Sequence, residues 1–100
     1  MARLQLYVVV SIDLSRADLT AFELYESAVL PLIAEHGGAV LHRLRRQDQL
    51  GEVHLIAFPG DDEYGNFSRD PRRLAQASLF EASRAIAAVN LYTPMQATWD

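Results

Sequence analysis

The stretch Ala85-Ile86-Ala87-Ala88-Val89-Asn90-Leu91-Tyr92, followed by Thr93-Pro94, decides the fold. Its alanines suit a continuing helix, whereas Val89, Leu91 and Tyr92 ahead of a proline suit a strand. A strand from about Ala87 is preferred, because a helix would leave the sheet one strand short. The other strands are plainer. Leu4-Gln5-Leu6-Tyr7-Val8-Val9-Val10-Ser11-Ile12 is rich in β-branched residues and too short for a typical helix. Ala39 to Arg46 and Glu52 to Phe58 flank the polar Gln47-Asp48-Gln49-Leu50-Gly51 and predict a hairpin. Between the first and second strands, Leu19, Phe22, Tyr25 or Glu26, Val29, Ile33 and His36 recur at helical spacing. Ser15-Arg16-Ala17-Asp18 resembles a capping box at the start, Gly37-Gly38 ends the helix, and Pro31 within it predicts a kink. Between the third and fourth strands, Pro59-Gly60 stops the strand and Asp61-Asp62-Glu63 open a helix reaching about Ser68. Asp70-Pro71 then restarts a helix, with aspartate as N-cap and proline in the first turn.

The order β-α-β-β-α-β is the ferredoxin-like, split-βαβ plan of an α+β protein. It predicts a single domain over residues 1–100, with a core at about 4–93 and a tail at 94–100 in which Trp99 can cover a partner's surface.

Composition narrows the function classes. One hundred residues, half of them hydrophobic, can bury a core without staples. The absence of cysteine excludes disulfides, thiolate zinc sites and cysteine nucleophiles, and suits a reducing cytoplasm. The net charge of −4 argues against a nucleic-acid partner. The clusters Arg43-Arg45-Arg46 and Arg69-Arg72-Arg73 are too small for a basic stripe, and no RNP aromatic motif is present. The Leu4–Ile12 run meets Asp13 and Arg16 in place of a cleavage site, and no run nears the roughly 20 apolar residues of a membrane span. A soluble, cytoplasmic protein without membrane contact is expected. No glycine-rich phosphate loop, nucleophile elbow, or flavin or haem signature appears, so no cofactor is expected. The three histidines lack metal-ligand spacing, so no metal is expected.

Tyr25-x5-Pro31-x4-His36-Gly37-Gly38, the strand Ala39-Val40-Leu41-His42-Arg43, Phe58-Pro59 and Phe67-x2-Asp70-Pro71 together resemble small proteins of the dimeric α/β-barrel superfamily. The resemblance covers about residues 5 to 93. It implies two four-stranded sheets paired into a barrel, helices outside, and a small-molecule cavity in each subunit. Relatives of that superfamily include cofactor-free antibiotic-biosynthesis monooxygenases, muconolactone isomerases and haem-handling enzymes. In this chain Arg45-Arg46 replaces the glycine-rich stretch usual after the arginine strand, and His54 stands where an apolar residue is common. A homodimer also follows from area: helices cover one face of a small four-stranded sheet, and a bare apolar face calls for a partner.

The first strand carries Leu4, Leu6, Val8, Val10 and Ile12 on one side and Gln5, Tyr7, Val9, Ser11 and Asp13 on the other. The apolar side is expected to face the helices. In the hairpin, positions summing to 97 pair Arg45 with Glu52, Arg43 with His54 and Leu41 with Ile56. That register collects Val40, Leu44, Val53, Leu55 and Ala57 on the opposite face. Arg43, His54, Ile56 and Phe58 are accordingly expected on the cavity face with Tyr7, Val9 and Ser11, and His42 on the helix layer or the hairpin edge.

Two residues carry the catalytic expectation. Arg43 either binds an anionic or carbonyl-bearing ligand or forms a salt bridge with Asp13 or Glu52. His54 offers an imidazole, whose intrinsic pKa of about 6.5 fits proton transfer, or is a strand histidine satisfied by a carbonyl. Tyr7 and Tyr25 offer hydroxyls to a ligand or pack in the core. Asp13 orients a base or starts the turn into the helix. With Ser11 and Phe58 these complete the expected lining, and His36 caps its helix. Three functions follow: a small-molecule-binding protein with acid–base chemistry, a cofactor-independent monooxygenase-like enzyme, or a non-catalytic dimerisation module.

Overall fold

The structure, a computed structural model, describes residues 3–95. Trp99 and most of the tail lie outside the described residues. Four strands, β1 (Leu6–Asp13), β2 (Ala39–Arg45), β3 (Gly51–Phe58) and β4 (Ile86–Tyr92), alternate with α1 (Leu19–Glu35), α2 (Asp61–Ser68), α3 (Pro71–Leu74) and α4 (Ala77–Ser83). The sheet is antiparallel in the order β2-β3-β1-β4. This is the ferredoxin-like α+β layout, with residues 86–92 a strand as expected.

Local chemistry sets the boundaries. The N-cap of α1 is Asp18, whose carboxylate accepts from Ala21 N–H at 3.2 Å. The expected capping box at Ser15 is not formed; Ser15 N–H donates to Asp13 Oδ1 at 2.9 Å in the preceding turn. Helix α1 runs through Pro31 and closes at His36, the C-cap, with Gly37 left-handed at φ 80°. Gly38 is required by crowding, since a Cβ there would lie 2.8 Å from the Phe58 ring and 2.9 Å from the Ala57 carbonyl. Asp70 caps α3 by accepting from Arg72 N–H at 2.8 Å. The helix expected to run on from Asp70 is instead broken into α3 and α4.

The core lies between the sheet and its helices. Leu6, Val8, Ile56 and Phe58 meet Val29, Leu32, Ile33 and Phe67 in one cluster, and Ile12, Leu14, Phe22 and Ala85 form a second. Phe22 and Phe58 are wholly buried, and each such ring contributes on the order of 3 kcal/mol by burial alone.

The register corrects the expected faces. Directly opposed residues share a face, and β1 pairs Val8 with Ile56, Val10 with His54 and Ile12 with Glu52. His54, Ile56 and Phe58 therefore share the helix-facing side with Leu6, Val8, Val10 and Ile12, whereas Tyr7, Val9 and Ser11 lie on the other. Arg43 and Arg45 pair with His54 and Glu52 as expected, and join them under the helices. Beyond His42 a bulge intervenes, so Val40, not Leu41, sits opposite Ile56. His42 lies opposite Leu55 on the open face and is exposed, away from the helix layer. The expectation failed because it placed the polar hairpin residues away from the helices, whereas here α1 and neighbouring arginines supply their partners.

Candidate functional site

A cavity of about 190 Å³ lies between the sheet and the helices. Its floor is Val8, Val10, Ile56, Phe58 and Val89, and its helical side includes Tyr25, Val29, Tyr64 and Phe80. Rings dominate its walls: Tyr25 packs on Phe80 with centroids 4.9 Å apart, and Phe58 touches both Tyr64 and Phe67 at 5.5 Å. An apolar cavity of about 150 Å³ can take benzene, so this one has room for a single-ring molecule.

Of the ionisable groups in its lining, His54 and Glu26 are the two suited to proton transfer near neutrality. Helical spacing puts Glu26 on the inner side of α1 with Phe22, Val29 and Ile33, and the residue is only 4% exposed. Its carboxyl forms no hydrogen bond or ion pair among the described residues. Burial pushes its pKa up, against the pull of Arg43 and with the push of Glu52 and Glu23, from 4.5 to about 7. Sequence spacing alone listed Glu26 as an alternative to Tyr25 along the helix and did not single it out. The signal was a carboxylate at a core position of an amphipathic helix, where an acid needs a reason.

His54 is 2% exposed and tied to Glu52, Nε2 to Oε2 at 2.5 Å. A carboxylate only accepts, so the imidazole donates through Nε2. Glu52 also accepts from Arg43 Nε and Arg45 Nε, both at 2.7 Å. Burial alone would lift the Glu52 carboxyl; the hydrogen bonds from Arg43, His54 and Arg45 outweigh it and hold it below the usual range. Both arginines reach on to Glu23 of α1, at 3.0 and 2.8 Å. The network pins hairpin to helix and fixes the His54 ring at the cavity edge. Arg43 is thus ion-paired with Glu52 and Glu23, not with Asp13, and it does not line the cavity.

The remaining expected residues divide. Tyr25, Phe58 and His54 line the cavity, whereas Tyr7, Ser11 and Asp13 stand on the open face of the sheet. Ser11 and Asp13 border a broad trough there of about 790 Å³, together with Leu44, Val53, Ile86 and Ala88. Asp13 is engaged in the turn to Ser15 and its carboxyl is held low by that backbone hydrogen bond. The trough is larger than the inner cavity, yet it gathers no buried titratable group without a partner. His36 caps α1 and its Nε2 bonds Asp70 Oδ2 at 2.8 Å, a tie between helices outside the cavity lining. Among the described residues no His, Asp and Glu side chains gather in the threes that hold a metal, and no helix is long and apolar enough to cross a membrane.

The fold matches solved structures over nearly its whole length. The chain is similar to SnoaB, a cofactor-independent oxygenase from Streptomyces nogalater, at 17% identity and a TM-score of 0.80, covering 98% of this chain and 100% of that one. It is similar to the ActVA-Orf6 monooxygenase of Streptomyces coelicolor, solved with nanaomycin D, at 21% identity and a TM-score of 0.71, covering 97% and 93%. A NIPSNAP family protein of unknown function from Agrobacterium tumefaciens matches at 16% identity and a TM-score of 0.68, covering 95% and 92%. These likenesses establish the ferredoxin-like fold that the sequence resemblance implied. No family model matches the chain, and no curated protein does.

Proposed function

We propose that the protein binds a compact, ring-bearing molecule in the cavity between sheet and helices, and that Glu26 removes a proton from it. One observation carries this: a carboxyl lining the cavity, on a residue only 4% exposed, with no hydrogen-bond or ion-pair partner among the described residues. Leaving such a group unpaired costs stability, and a base whose pKa lies near the working pH is what proton abstraction favours. The aromatic walls supply the rest of the binding. His54, held by Glu52, is the second group at the cavity fit to move a proton, and Arg43 acts behind it by fixing Glu52. Tyr25 and Phe58 serve as ligand contacts in the wall.

The same proposal includes a homodimer in the cytoplasm. Leu44, Val53 and Ile86 expose 58, 38 and 65% of their area on the face without helices, and a second copy of that face is self-complementary under two-fold symmetry. Tyr7, Ser11 and Asp13 then belong to the interface rather than to a ligand.

A second reading, cofactor-independent oxygen chemistry, is favoured by the likeness to SnoaB and ActVA-Orf6. Deprotonation would come first there too, with the substrate supplying the electrons.

The test is exchange of an acidic C–H. In D2O at pH 7.5, the protein should speed loss of the methylene proton signal of 2-indanone, and Glu26→Gln should reduce that rate by about 100-fold or more, the usual span of a general base. Exchange that persists in the Gln variant would refute the assignment. Oxygen uptake under the same conditions, absent in the Gln variant, separates the second reading from the first.

A further inference from the structure

We infer that the ligand of this cavity is a ring-bearing carboxylate, and that Arg73 is its anchor. The inference rests on the cavity being the binding site, and it adds what the bound molecule must carry. Arg73 is half-buried in the lining, at the end formed by α2 and α3. Its guanidinium lies over the Phe67 ring, 5.5 Å from the centroid, and one nitrogen donates to the Ser68 carbonyl at 3.1 Å. These contacts hold the planar group in place while using only one of its five N–H donors.

What it lacks is an anion. Arg43, Arg45, Arg46 and Arg72 each pair with a carboxylate, and Arg73 has no such partner among the described residues. The protein satisfies its other half-buried arginines, at Glu52 and Glu23. A cation kept over a ring, beside an apolar cavity and unpaired, suits the flat two-point grip that a guanidinium gives a carboxylate. Tyr25 stands between the two ends, within electrostatic reach of both Arg73 and Glu26, and its hydroxyl has no hydrogen-bond partner among the described residues, so it can join the grip.

Glu26 does not oppose such a ligand. The charges that act on it are Arg43, Glu52 and Glu23, toward the hairpin, whereas Arg73 rests on Phe67, against Phe58 at the other end of β3. A ring between them would have its carboxylate at Arg73 and its acidic C–H or O–H at Glu26. Two opposed groups thus fix both the charge and the orientation of the molecule.

Benzoate and benzamide, nearly equal in shape and different in charge, test this by NMR titration of the labelled protein. Benzoate should bind about tenfold tighter, one charge-assisted contact's worth. Arg73→Met, which keeps the stem over Phe67, should bring the two within about twofold, and Arg73→Lys should retain part of the preference. Equal binding of the two by the unmodified protein, or a preference that survives in Arg73→Met, overturns the anchor and leaves the cavity assignment intact. Binding of neither overturns both. The comparison on the unmodified protein decides the matter even if Arg73→Met fails to fold.

Discussion

The two faces of the sheet do not divide simply into an apolar inside and a polar outside. The helix-covered face holds Glu52, His54 and Arg43 beside Val8 and Val10, whereas the uncovered face shows Leu44, Val53 and Ile86 to solvent. Polar groups were moved inward where partners exist for them, and apolar ones outward where a second sheet can cover them. The covered face thus adds a buried ion-paired cluster to an apolar core, and the uncovered face leaves apolar side chains at the surface.

The contrast breaks most sharply between neighbours on β3. Glu52→Ala should cost about 3 kcal/mol or more, because Arg43, Arg45 and His54 lose a shared buried anion. Val53→Ala, one residue on and facing outward, should cost about 1 kcal/mol or less when measured by urea unfolding at low protein concentration. Equal losses would mean that the two faces do not differ as described.

The next effect is a pH dependence. The Glu26 carboxyl is raised from 4.5 to about 7 on folding, so the folded chain keeps a proton that the unfolded chain releases between those values. Stability should therefore fall as pH climbs from 4.5 to 7, by about 3 kcal/mol in all. Glu26→Gln should recover that amount at pH 8 and change little at pH 4. Glu52 works in the opposite sense: its lowered carboxyl stabilises the fold above its ordinary pKa, and that contribution fades as the pH drops below it. Unfolding curves at pH 4, 6 and 8 separate the two.

The smallest effect concerns the outer face. Leu44→Asp should weaken pairing of the two copies about tenfold or more, read as dissociation in sedimentation velocity, while leaving the near-ultraviolet signal of the inner core unchanged. A protein that already sediments as a monomer at high concentration would remove the outer half of the contrast.

Much of the fold was legible because its signals are local. Asp70-Pro71, Gly37-Gly38 and the hairpin polar stretch mark their boundaries by backbone chemistry that needs no tertiary context, and residues 86–92 follow from counting strands. The pairing of Arg43 with His54 and of Arg45 with Glu52 was legible as well, as alternation within one hairpin. Which way that hairpin faces was not. It depends on Glu23 of α1 reaching over the strands to the arginines, a contact between residues about 20 positions apart in sequence. The bulge at Leu41 leaves no mark of glycine or proline. Glu26 and Arg73 went unnoticed for a related reason. An acid in a helical stripe and the third arginine of a short cluster look ordinary until the cavity between them is known.

Glu26, largely buried in the cavity lining and unpaired among the described residues, is on this account a carboxyl ready to accept a proton near neutrality. The side-chain carboxyl carbon of Glu26, followed by 13C NMR from pH 3 to 9 and assigned with the Gln variant, tests it directly. A midpoint near 7 is the predicted result. A midpoint near 4.5 would show a solvated acid, and the cavity would have no base.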